Sequence, residues 1–477
     1  MLAKKIWVLF FSVAFVLTTS AFTTVGGAKR IVLERGRTIE EQMIIPNVTY
    51  IIKDFFTQTD SILTIPDNCI LAFKGGKILN ANMKLGENVT IINGTIEIAE
   101  NGYIQLNNYT TVKNCSFSNK TFCKIGYGDL FADACKSIRI KKCSFAPQKR
   151  QAKGKCSSID LRRCEDFLIE KVTSNYTEGE NIIIFEGRGQ VRKCHCTRGW
   201  SGIGTSIYGT SKTNPKQGNP NAQILIKNNV IKNTLAAGIT INNTNTLCEN
   251  NTIFFENCTV EGPGIRLGHL HALANNCTVS HNHIKWINSK ASGASTSNRG
   301  ISIDAGNNNV IVDNIIENVP EGIASSVSNK TGTIIKNNVI KGATNNGISV
   351  YEGNDAQNSC VILNNEIRMS AGTGIWVRNC NTVITSNTIL FPKEKQESSY
   401  NPNSYVGLRL EDNKNVETRV ENNTIKCSLK PIKGVFVGKR VVMKDNVYQT
   451  EGENTIKSGE KTIVEDLNNK IKYVGRR

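Results

Sequence analysis

A short motif recurs along most of this chain and limits how it can fold. Residues 310–324 read VIVDNIIENVPEGIA, and residues 333–350 read TIIKNNVIKGATNNGISV. Each copy contains two or three aliphatic residues, an Asn, an Ile, a short polar gap and then Gly-Ile. Short runs of Val, Ile and Thr bounded by Asn and Gly are typical of β-strands. One copy cannot bury its own aliphatic face, so the copies must stack on one another.

The Asn of the motif marks the spacing of the copies. Successive copies lie 22 to 36 residues apart, which argues against a helical repeat of fixed length. Together they predict about fifteen coils between residues 62 and 450, in an all-β fold: a single-stranded right-handed parallel β-helix. The same slot is filled in turn by Gly76, Gly94, Cys115, Cys143, Val172, Cys194, Asn229, Asn251, Asn282, Asn314, Asn338, Asn365, Asn387, Asn423 and Asn446.

Stacking gives this slot a structural role. Parallel coils place each residue about 4.8 Å above its counterpart. An Asn at a sharp turn tolerates left-handed backbone, and its amide bonds to the amides above and below. Fifteen Cys in an exported protein would usually suggest disulfides. Because Cys115, Cys143 and Cys194 occupy the inward slot, we expect them to be buried free thiols.

The two ends of the chain differ from the repeats. Residues 1–28 have two Lys, an apolar run and then small residues, which predicts a signal peptide cleaved after Ala21 or Ala28; an uncleaved anchor is the alternative. We assign 29–61 to an N-terminal cap, 62–450 to the β-helix and 451–477 to a C-terminal tail. The predicted localisation is secreted or periplasmic, with no later membrane span.

The net charge of +18 indicates an anionic partner. Since export is expected, an acidic polysaccharide is favoured over nucleic acid, and the protein is expected to be a monomer. Alternatively, scattered Lys residues simply keep a long repeat array soluble.

The coils that read VIVDNIIEN followed by GI resemble the repeats of the pectin-lyase-like superfamily, in particular its bacterial NosD-type and carbohydrate-lyase groups. The resemblance covers about residues 60–450. It implies three sheets per coil, with the Asn between the second and third sheets and Gly-Ile-x-Ile in the first. Members that act on polysaccharides bind them in a groove over that first sheet, so the resemblance implies the same groove here.

The outward positions of the Gly-Ile-x-Ile-y strands change character along the stack. Both Ile side chains should point inward, so x and y point outward. The y column brings Tyr351, Arg378 and Glu411 together over three coils. The x column reads Thr240, Arg266, Ser302, Ala324, Ser349, Trp376, Arg409 and Phe436, and the y column begins Asn242, Gly268, Asp304 and Ser326.

These columns predict an active site for β-elimination of a uronic-acid polymer. The candidate catalytic residues are Tyr351, Arg378, Arg409 and Glu411. Arg suits recognition of the sugar carboxylate, and Tyr can act as base or acid. Glu411 is either a hydrolytic carboxylate or the residue that holds Arg378.

Further candidates extend the groove. The predicted substrate-binding residues are Arg266, His269, Asp304 and Trp376, with Trp376 as a sugar-stacking face. Two long loops, residues 286–299 and 390–406, are expected to wall the groove. His281 and His283 flank a ladder Asn on the far side of the coil, which argues against zinc.

Two other functions stay open. A glycoside hydrolase needs two carboxylates about 5–10 Å apart, and Asp304 and Glu411 are four coils apart. A non-catalytic carbohydrate-binding or adhesin solenoid would carry the same columns as a solvated row of Arg–Glu pairs. Whether the protein is an enzyme is therefore left open, with a lyase preferred to a hydrolase. No cofactor is expected; calcium is conceivable, although the chain has no aspartate cluster.

Overall fold

In a computed structural model of this chain, the aliphatic repeats form three long parallel sheets. The structure describes residues 29–59, 62–119, 128–146, 157–175, 179–207, 216–217, 221–269, 272–291, 298–325, 332–351, 359–393, 404–412, 417–436, 440–453, 455–458 and 463–473. In this part of the chain each complete coil contributes one strand to each sheet and pairs in parallel with the coils before and after it. The predicted fold class is confirmed: this is a parallel β-helix with three sheets per coil.

The described strands fall into three sheets and two small pairs. Sheet 1 contains β4 (Leu63–Ile65), β7 (Met83–Leu85), β10 (Ile104–Gln105), β13 (Gly128–Asp133), β16 (Ser157–Arg162), β19 (Ile182–Phe185), β22 (Ser201–Ser206), β26 (Ala237–Ile241), β30 (Ile265–Leu267), β35 (Arg299–Ile303), β38 (Glu321–Ser325), β41 (Asn346–Tyr351), β44 (Thr373–Arg378), β47 (Val406–Asp412), β50 (Lys430–Phe436) and β53 (Thr455–Ser458). Sheet 2 contains β1 (Lys29–Val32), β2 (Val48–Ile52), β5 (Ile70–Phe73), β8 (Thr90–Ile92), β11 (Thr111–Lys113), β14 (Arg139–Lys141), β17 (Glu165–Glu170), β20 (Arg188–Arg192), β24 (Gln223–Lys227), β27 (Thr246–Glu249), β32 (Thr278–Ser280), β36 (Val310–Val312), β39 (Thr333–Lys336), β42 (Ser359–Leu363), β45 (Asn381–Thr385), β48 (Glu417–Glu421), β51 (Arg440–Lys444) and β54 (Ile463–Leu467). Sheet 3 contains β3 (Phe55–Thr57), β6 (Lys77–Ala81), β9 (Thr95–Ile98), β12 (Ser116–Asn119), β15 (Ser144–Phe145), β18 (Thr173–Asn175), β21 (His195–Thr197), β25 (Val230–Lys232), β28 (Thr252–Glu256), β33 (His283–Ile287), β37 (Ile315–Glu317), β40 (Val339–Ala343), β43 (Glu366–Met369), β46 (Thr388–Leu390), β49 (Thr424–Ser428), β52 (Val447–Thr450) and β55 (Lys470–Tyr473). The small pairs are β23 (Lys216–Gln217) with β31 (Ala272–Leu273), and β29 (Thr259–Val260) with β34 (Lys290–Ala291).

The core consists of aliphatic side chains stacked on their counterparts. In sheet 1 the first Ile of each Gly-Ile motif lies directly over the next, for example Ile301 over Ile323 and Ile323 over Ile348. These side chains are fully buried. Because every coil presents the same face to its neighbours, the apolar surface of each coil is buried only in the stack. This rigid scaffold fixes the outward side chains of sheet 1 in columns.

The N-terminal end of the stack is closed by a short helix, α1 (Ile39–Gln42). Ile39 and Met43 are fully buried against the first coil. The sheets reach further than the expected bounds of 62–450, since β2 and β3 precede residue 62 and β54 and β55 follow residue 450. Residues 1–28, the expected signal peptide, lie outside the described residues. No helix in the described part of the chain has the length and apolarity to span a bilayer.

The predicted Asn ladder is present and lies at the turn between sheets 2 and 3. The Nδ2 group of Asn314 donates to Oδ1 of Asn338 at 2.9 Å, and that of Asn338 donates to Oδ1 of Asn365 at 3.0 Å. Equivalent bonds run from Asn229 to Asn446, and the ladder continues one step further to Asn469. Each amide also bonds to backbone carbonyls, so these buried polar groups are satisfied.

One detail of the expected turn was wrong. The left-handed residue is not the ladder Asn but the residue before it, for example Asp313 (φ 56°), Asn337 (φ 55°) and Asn364 (φ 56°). That position lies on the outside of the turn, where Asn, Asp, His and Ser all occur. The ladder Asn is thereby left to point inward, where its amide bonds to the next coil.

The predicted thiols are also in place. Cys115, Cys143 and Cys194 are buried and free, as are most of the thirteen Cys in the described residues. The backbone N–H of Cys194 donates to Oδ1 of Asn229, which joins the Cys column to the Asn ladder. Burial raises the pKa of the Cys194 thiol to about 12. These thiols act as small apolar side chains of the core.

Candidate functional site

The outer face of sheet 1 carries the predicted columns in the predicted register through most of the stack. Ser349 pairs with Trp376, and Trp376 pairs with Arg409. One step differs at the end of the column: Arg409 pairs with Lys433, not with Phe436. The inward residue that matches the first Ile of the motif is Ile432, so Gly434-Val435 does not correspond to Gly-Ile.

The structure brings four predicted residues into contact, and we call them the aromatic cluster: Tyr351, Trp376, Arg409 and Glu411. The rings of Tyr351 and Trp376 stack with centroids 5.0 Å apart. The guanidinium of Arg409 lies 4.8 Å from the centre of the Trp376 ring. Glu411 accepts from Trp376 Nε1 at 3.2 Å and from Arg409 Nε at 2.7 Å. The ring of Trp376 is occupied by Tyr351 from one adjacent coil and by Arg409 from the other. Trp376 therefore positions Tyr351.

The remaining predicted catalytic residue, Arg378, lies in the same column between Tyr351 and Glu411. Its side chain is exposed and makes no ion pair with another described residue. Glu411 thus holds Arg409 and not Arg378, contrary to the expected alternative. Next in the stack, burial and then the charges of Arg409 and Lys430 keep the pKa of Lys433 below its ordinary value. Arg378, Arg409 and Lys433 thus place three cationic side chains at this end of the face.

A buried ion pair that was missed in the sequence supports the cluster. Arg299 and Glu321 have side chains that are 4% and 6% exposed, and Arg299 Nε lies 2.7 Å from Glu321 Oε2. Arg299 also donates to the hydroxyl oxygen of Tyr351. Burial opposes the charge on Arg299, but the neighbouring Glu321 carboxylate raises the pKa of Arg299 above its ordinary value. The guanidinium therefore remains a permanent cation beside the phenol.

The Glu321 carboxylate is in turn held by its neighbours. Its Oε1 accepts from Ser349 Oγ at 2.5 Å and from Asn346 Nδ2 at 3.0 Å. Arg299, Glu321, Asn346 and Thr373 occupy one register position in successive coils. This position precedes the Gly of each motif, and its polar column could have been read from the sequence. It was missed because strict alternation assigns only x and y to the outer face.

Asp304 links this network to the next predicted residue. Its carboxylate lies 3.7 Å from Arg299 Nη1 and accepts from Ser302 Oγ. Its Oδ2 also lies 3.4 Å from Nε of Arg266, although that nitrogen makes no hydrogen bond with the described residues. Asp304 and Glu411 are separated by four strand spacings, or about 19 Å. They cannot form the carboxylate pair of a hydrolase, which needs about 5–10 Å.

Arg266 and His269 line a separate cleft, nearer the N-terminal end of sheet 1. The cleft has a volume of about 530 Å³. Two further lining residues, Thr240 and Asn242, were placed on the outer face by the sequence. The lining residues that sequence reasoning missed are Ser157, Asp160, Arg162, Glu180, Ile183, Phe185, Trp200, Ser201, Ser206 and Ala236. Gly204 lies in the x column between Ile183 and Thr240, and the absence of a side chain there opens the cleft.

Charges inside this cleft are largely paired. Arg162 binds both carboxylate oxygens of Asp160, at 3.1 and 2.7 Å. Its guanidinium lies 5.0 Å from the ring centre of Phe131 and 5.3 Å from that of Phe185. Burial raises the pKa of Asp160, the bond from Arg162 opposes this, and the nearby Glu180 carboxylate adds to the rise. Both carboxylates line the cleft and face the same space.

The remaining features singled out in the sequence are two histidines and two long loops. His281 lies 3.6 Å from Asp313, and His283 lies 3.2 Å from Glu317, on the side of the coil away from sheet 1. Within the described ranges no group of three or more His, Cys, Asp or Glu side chains could hold a metal ion. The central parts of the two long loops, residues 292–297 and 394–403, lie outside the described residues.

Comparison with known proteins gives the following matches. A family model described as "Right handed beta helix region" matches residues 217–389. No curated protein sequence matches the chain. Among solved structures, a tailspike protein of the E. coli bacteriophage HK620, in complex with a pentasaccharide, is 12% identical with a TM-score of 0.45 and covers 72% of this chain and 71% of its own. An α-1,3-glucanase catalytic unit from Streptomyces thermodiastaticus is 13% identical with a TM-score of 0.37, covering 79% of this chain and 63% of its own.

A third structure, an alginate lyase from Paenibacillus, is 12% identical with a TM-score of 0.28 and covers 78% of this chain and 92% of its own. The family model supplies the handedness of the coil, and it covers residues 217–389 in the middle of the stack. Together with the three parallel sheets described above, this match shows that the chain folds as a right-handed parallel β-helix.

Proposed function

We propose that this protein is exported, binds an acidic polysaccharide along the outer face of sheet 1 and cleaves it by β-elimination at Tyr351. The observation that carries the proposal is the hydrogen bond from the buried Arg299 to the hydroxyl oxygen of Tyr351. A fixed cation that is hydrogen-bonded to the phenolic oxygen stabilises negative charge on that oxygen. This contact is the reason that we assign Tyr351 the role of base.

Each step of the elimination has a candidate residue. Arg378, with Lys433 and Arg409 nearby, binds the sugar carboxylate and thereby makes the adjacent C–H more acidic. The phenolate oxygen of Tyr351 takes that proton, a double bond forms in the sugar ring and the glycosidic C–O bond breaks. The proton then passes from Tyr351 to the leaving oxygen, which restores the enzyme. Arg299 compensates the charge of the phenolate throughout and touches no substrate, so it is a positioning residue.

Trp376 and Glu411 keep this geometry. The Trp376 ring stacks on Tyr351, and Glu411 fixes both Trp376 and Arg409 through hydrogen bonds. Because these side chains are locked by one another and by the sheet, the reacting group loses little freedom when substrate binds.

Binding without catalysis is the second candidate function. It is favoured by one observation: Arg409 and Glu411 satisfy each other, as paired residues of a solvated face do. The two functions predict the same ligand and differ only in the product.

A polymer screen separates these candidates. Purified protein is incubated with pectate, alginate and glycosaminoglycans, and binding is followed by affinity electrophoresis. Reducing ends and the ultraviolet absorbance of unsaturated sugars report the products. Both signals together support elimination, whereas reducing ends alone indicate hydrolysis and contradict it. Retarded migration without either signal indicates a binding protein.

A further inference from the structure

The cleft around Trp200 differs in chemistry from the aromatic cluster, although both lie on sheet 1. Trp200 is 41% exposed at the edge of the cleft, and Ile183 and Phe185 add apolar surface to its floor. Aromatic and aliphatic surface of this kind suits the C–H face of a sugar ring. The cleft is large enough for a ring and its hydroxyl groups, at about 530 Å³.

The charged side chains of the cleft do not favour an anionic sugar. Arg162 already binds both oxygens of Asp160 and lies between two aromatic rings. Arg266 faces Asp304 at 3.4 Å, so part of its charge is compensated from outside the cleft. Glu180 adds a carboxylate, and a Cβ at Gly204 would lie only 3.2 Å from its Cγ. A sugar carboxylate placed here would meet a like charge, whereas sugar hydroxyl groups can donate to it.

The aromatic cluster has an excess of positive charge. Among the described residues its surroundings contain four cationic side chains, Arg299, Arg378, Arg409 and Lys433, and three carboxylates, Asp304, Glu321 and Glu411. From Gly204 in the cleft to Trp376 in the cluster is six strand spacings, or about 29 Å. One extended polysaccharide can reach both sites along the same face.

We infer that the cleft is a second carbohydrate-binding site, which takes a neutral sugar, and that the ligand is a heteropolysaccharide containing both acidic and neutral residues. This inference rests on the proposed function, because the acidic residue is the one bound at the aromatic cluster. The neutral site is held by stacking on Trp200 and by hydroxyl groups that bond to Glu180. Its contribution should therefore not depend on salt, unlike that of the cluster.

The test compares polymers of different composition on two variants. Polygalacturonate contains acidic residues only, whereas hyaluronan, chondroitin and xanthan combine uronic acid with neutral sugars. At high salt we expect the parent protein to bind at least one of the three mixed polymers about tenfold more tightly than polygalacturonate. Trp200→Ala should remove this difference, and Trp200→Phe, which keeps an aromatic face, should retain most of it.

Two results would overturn the inference: equal affinity of the parent for all four polymers, or Trp200→Ala binding the mixed polymers as the parent does. Arg378→Ala distinguishes a failure of the proposed function. If it leaves low-salt binding of polygalacturonate unchanged while Trp200→Ala still weakens the mixed polymers, the acidic site is refuted and the cleft stands. Thermal unfolding of each variant shows that the fold is intact, since both side chains lie on the surface.

Discussion

A single hydrogen bond, from Arg299 to the hydroxyl oxygen of Tyr351, gives the outer face of sheet 1 its chemical character. Tyr351 was found from the sequence because strand alternation places it outward. Its partner was not, because Arg299 precedes the Gly of the motif, where the strand departs from simple alternation. Long-range contacts between residues 299, 321 and 351 depend on the exact stacking of coils, and a residue pattern within one coil does not contain that information.

The buried pair of Arg299 and Glu321 should be important for stability. Replacing Glu321 with Gln removes the main counter-charge of a buried guanidinium, so we expect the free energy of unfolding to fall by about 3 kcal/mol. Chemical denaturation measures the change. The matched control is Glu417→Gln, which breaks the exposed pair with Arg419 and should cost at most about 0.5 kcal/mol. Equal effects of both variants would show that the Arg299 site is open to water.

At the scale of elements, the ladder slot is where the sequence was most informative. A residue type repeated at one turn of every coil identifies the turn, and stacking then fixes the hydrogen-bond partners. The prediction was wrong where the repeat is less regular. In β50 Pro431 stands in the place of the motif Gly, and Gly434 further along the strand suggested a wrong register. The cleft was missed for a related reason, since Glu180 and Trp200 lie in connections that have no repeat to read.

Ladder amides should be essential to coil stacking. Asn338 bonds to Asn314, to Asn365 and to two backbone carbonyls, so Asn338→Leu leaves several buried groups without partners. We expect a loss of roughly 3 kcal/mol or more, measured by urea unfolding. Lys336→Leu, on the outward side of the same coil, introduces the same side chain and should change stability by less than about 0.5 kcal/mol. A similar cost for both would contradict the ladder's role.

The buried thiol of Cys194, which fills the ladder slot, should make the stability of the protein depend on pH in the alkaline range. The pKa of Cys194 is about 12 in the folded protein, against roughly 8.5 for an exposed thiol. Only the unfolded chain then releases this proton between these values, so its contribution to stability is complete below pH 8.5 and is lost as pH rises toward 12. At pH 10 the loss should be about 2 kcal/mol relative to pH 7.

Urea unfolding at both pH values tests this, with Cys194→Ala and Val172→Ala compared. Val172 fills the same slot one coil earlier and has no proton to lose. Both variants should be less stable at pH 7 because they create cavities. Only Cys194→Ala should show a shallower decline at high pH than the parent protein, and an unchanged slope would mean that this thiol is accessible.

At the scale of the whole molecule, the positions of the positive charges are more informative than the net charge. The net charge of +18 alone does not distinguish an acidic ligand from simple solubility. The structure places Arg378 and Lys433 beside the aromatic cluster, whereas Arg419 on sheet 2 is paired with Glu417. Binding of an acidic polymer should therefore depend on salt and on a few residues of one face.

Arg378→Ala should weaken binding of an acidic polymer and reduce its dependence on salt, because one ionic contact is lost. Titration at several salt concentrations, followed by affinity electrophoresis, measures both quantities. Arg419→Ala removes the same charge from another face, and its binding curve should coincide with that of the parent. If the two variants weaken binding equally, the net charge and not the groove attracts the polymer.

The most direct measurement of the central claim is the rate of formation of unsaturated sugar ends by Tyr351→Phe, on whichever acidic polymer the parent protein cleaves. The substitution keeps the ring that stacks on Trp376 and removes only the hydroxyl group. We predict that kcat falls by about 100-fold or more while the Kd for the polymer is unchanged, because the hydroxyl acts only in the transition state. Tyr109→Phe, at an exposed tyrosine far from sheet 1's cluster, should match the parent. Unchanged turnover by Tyr351→Phe would show that Tyr351 is not the base and that the chemistry of this protein lies elsewhere.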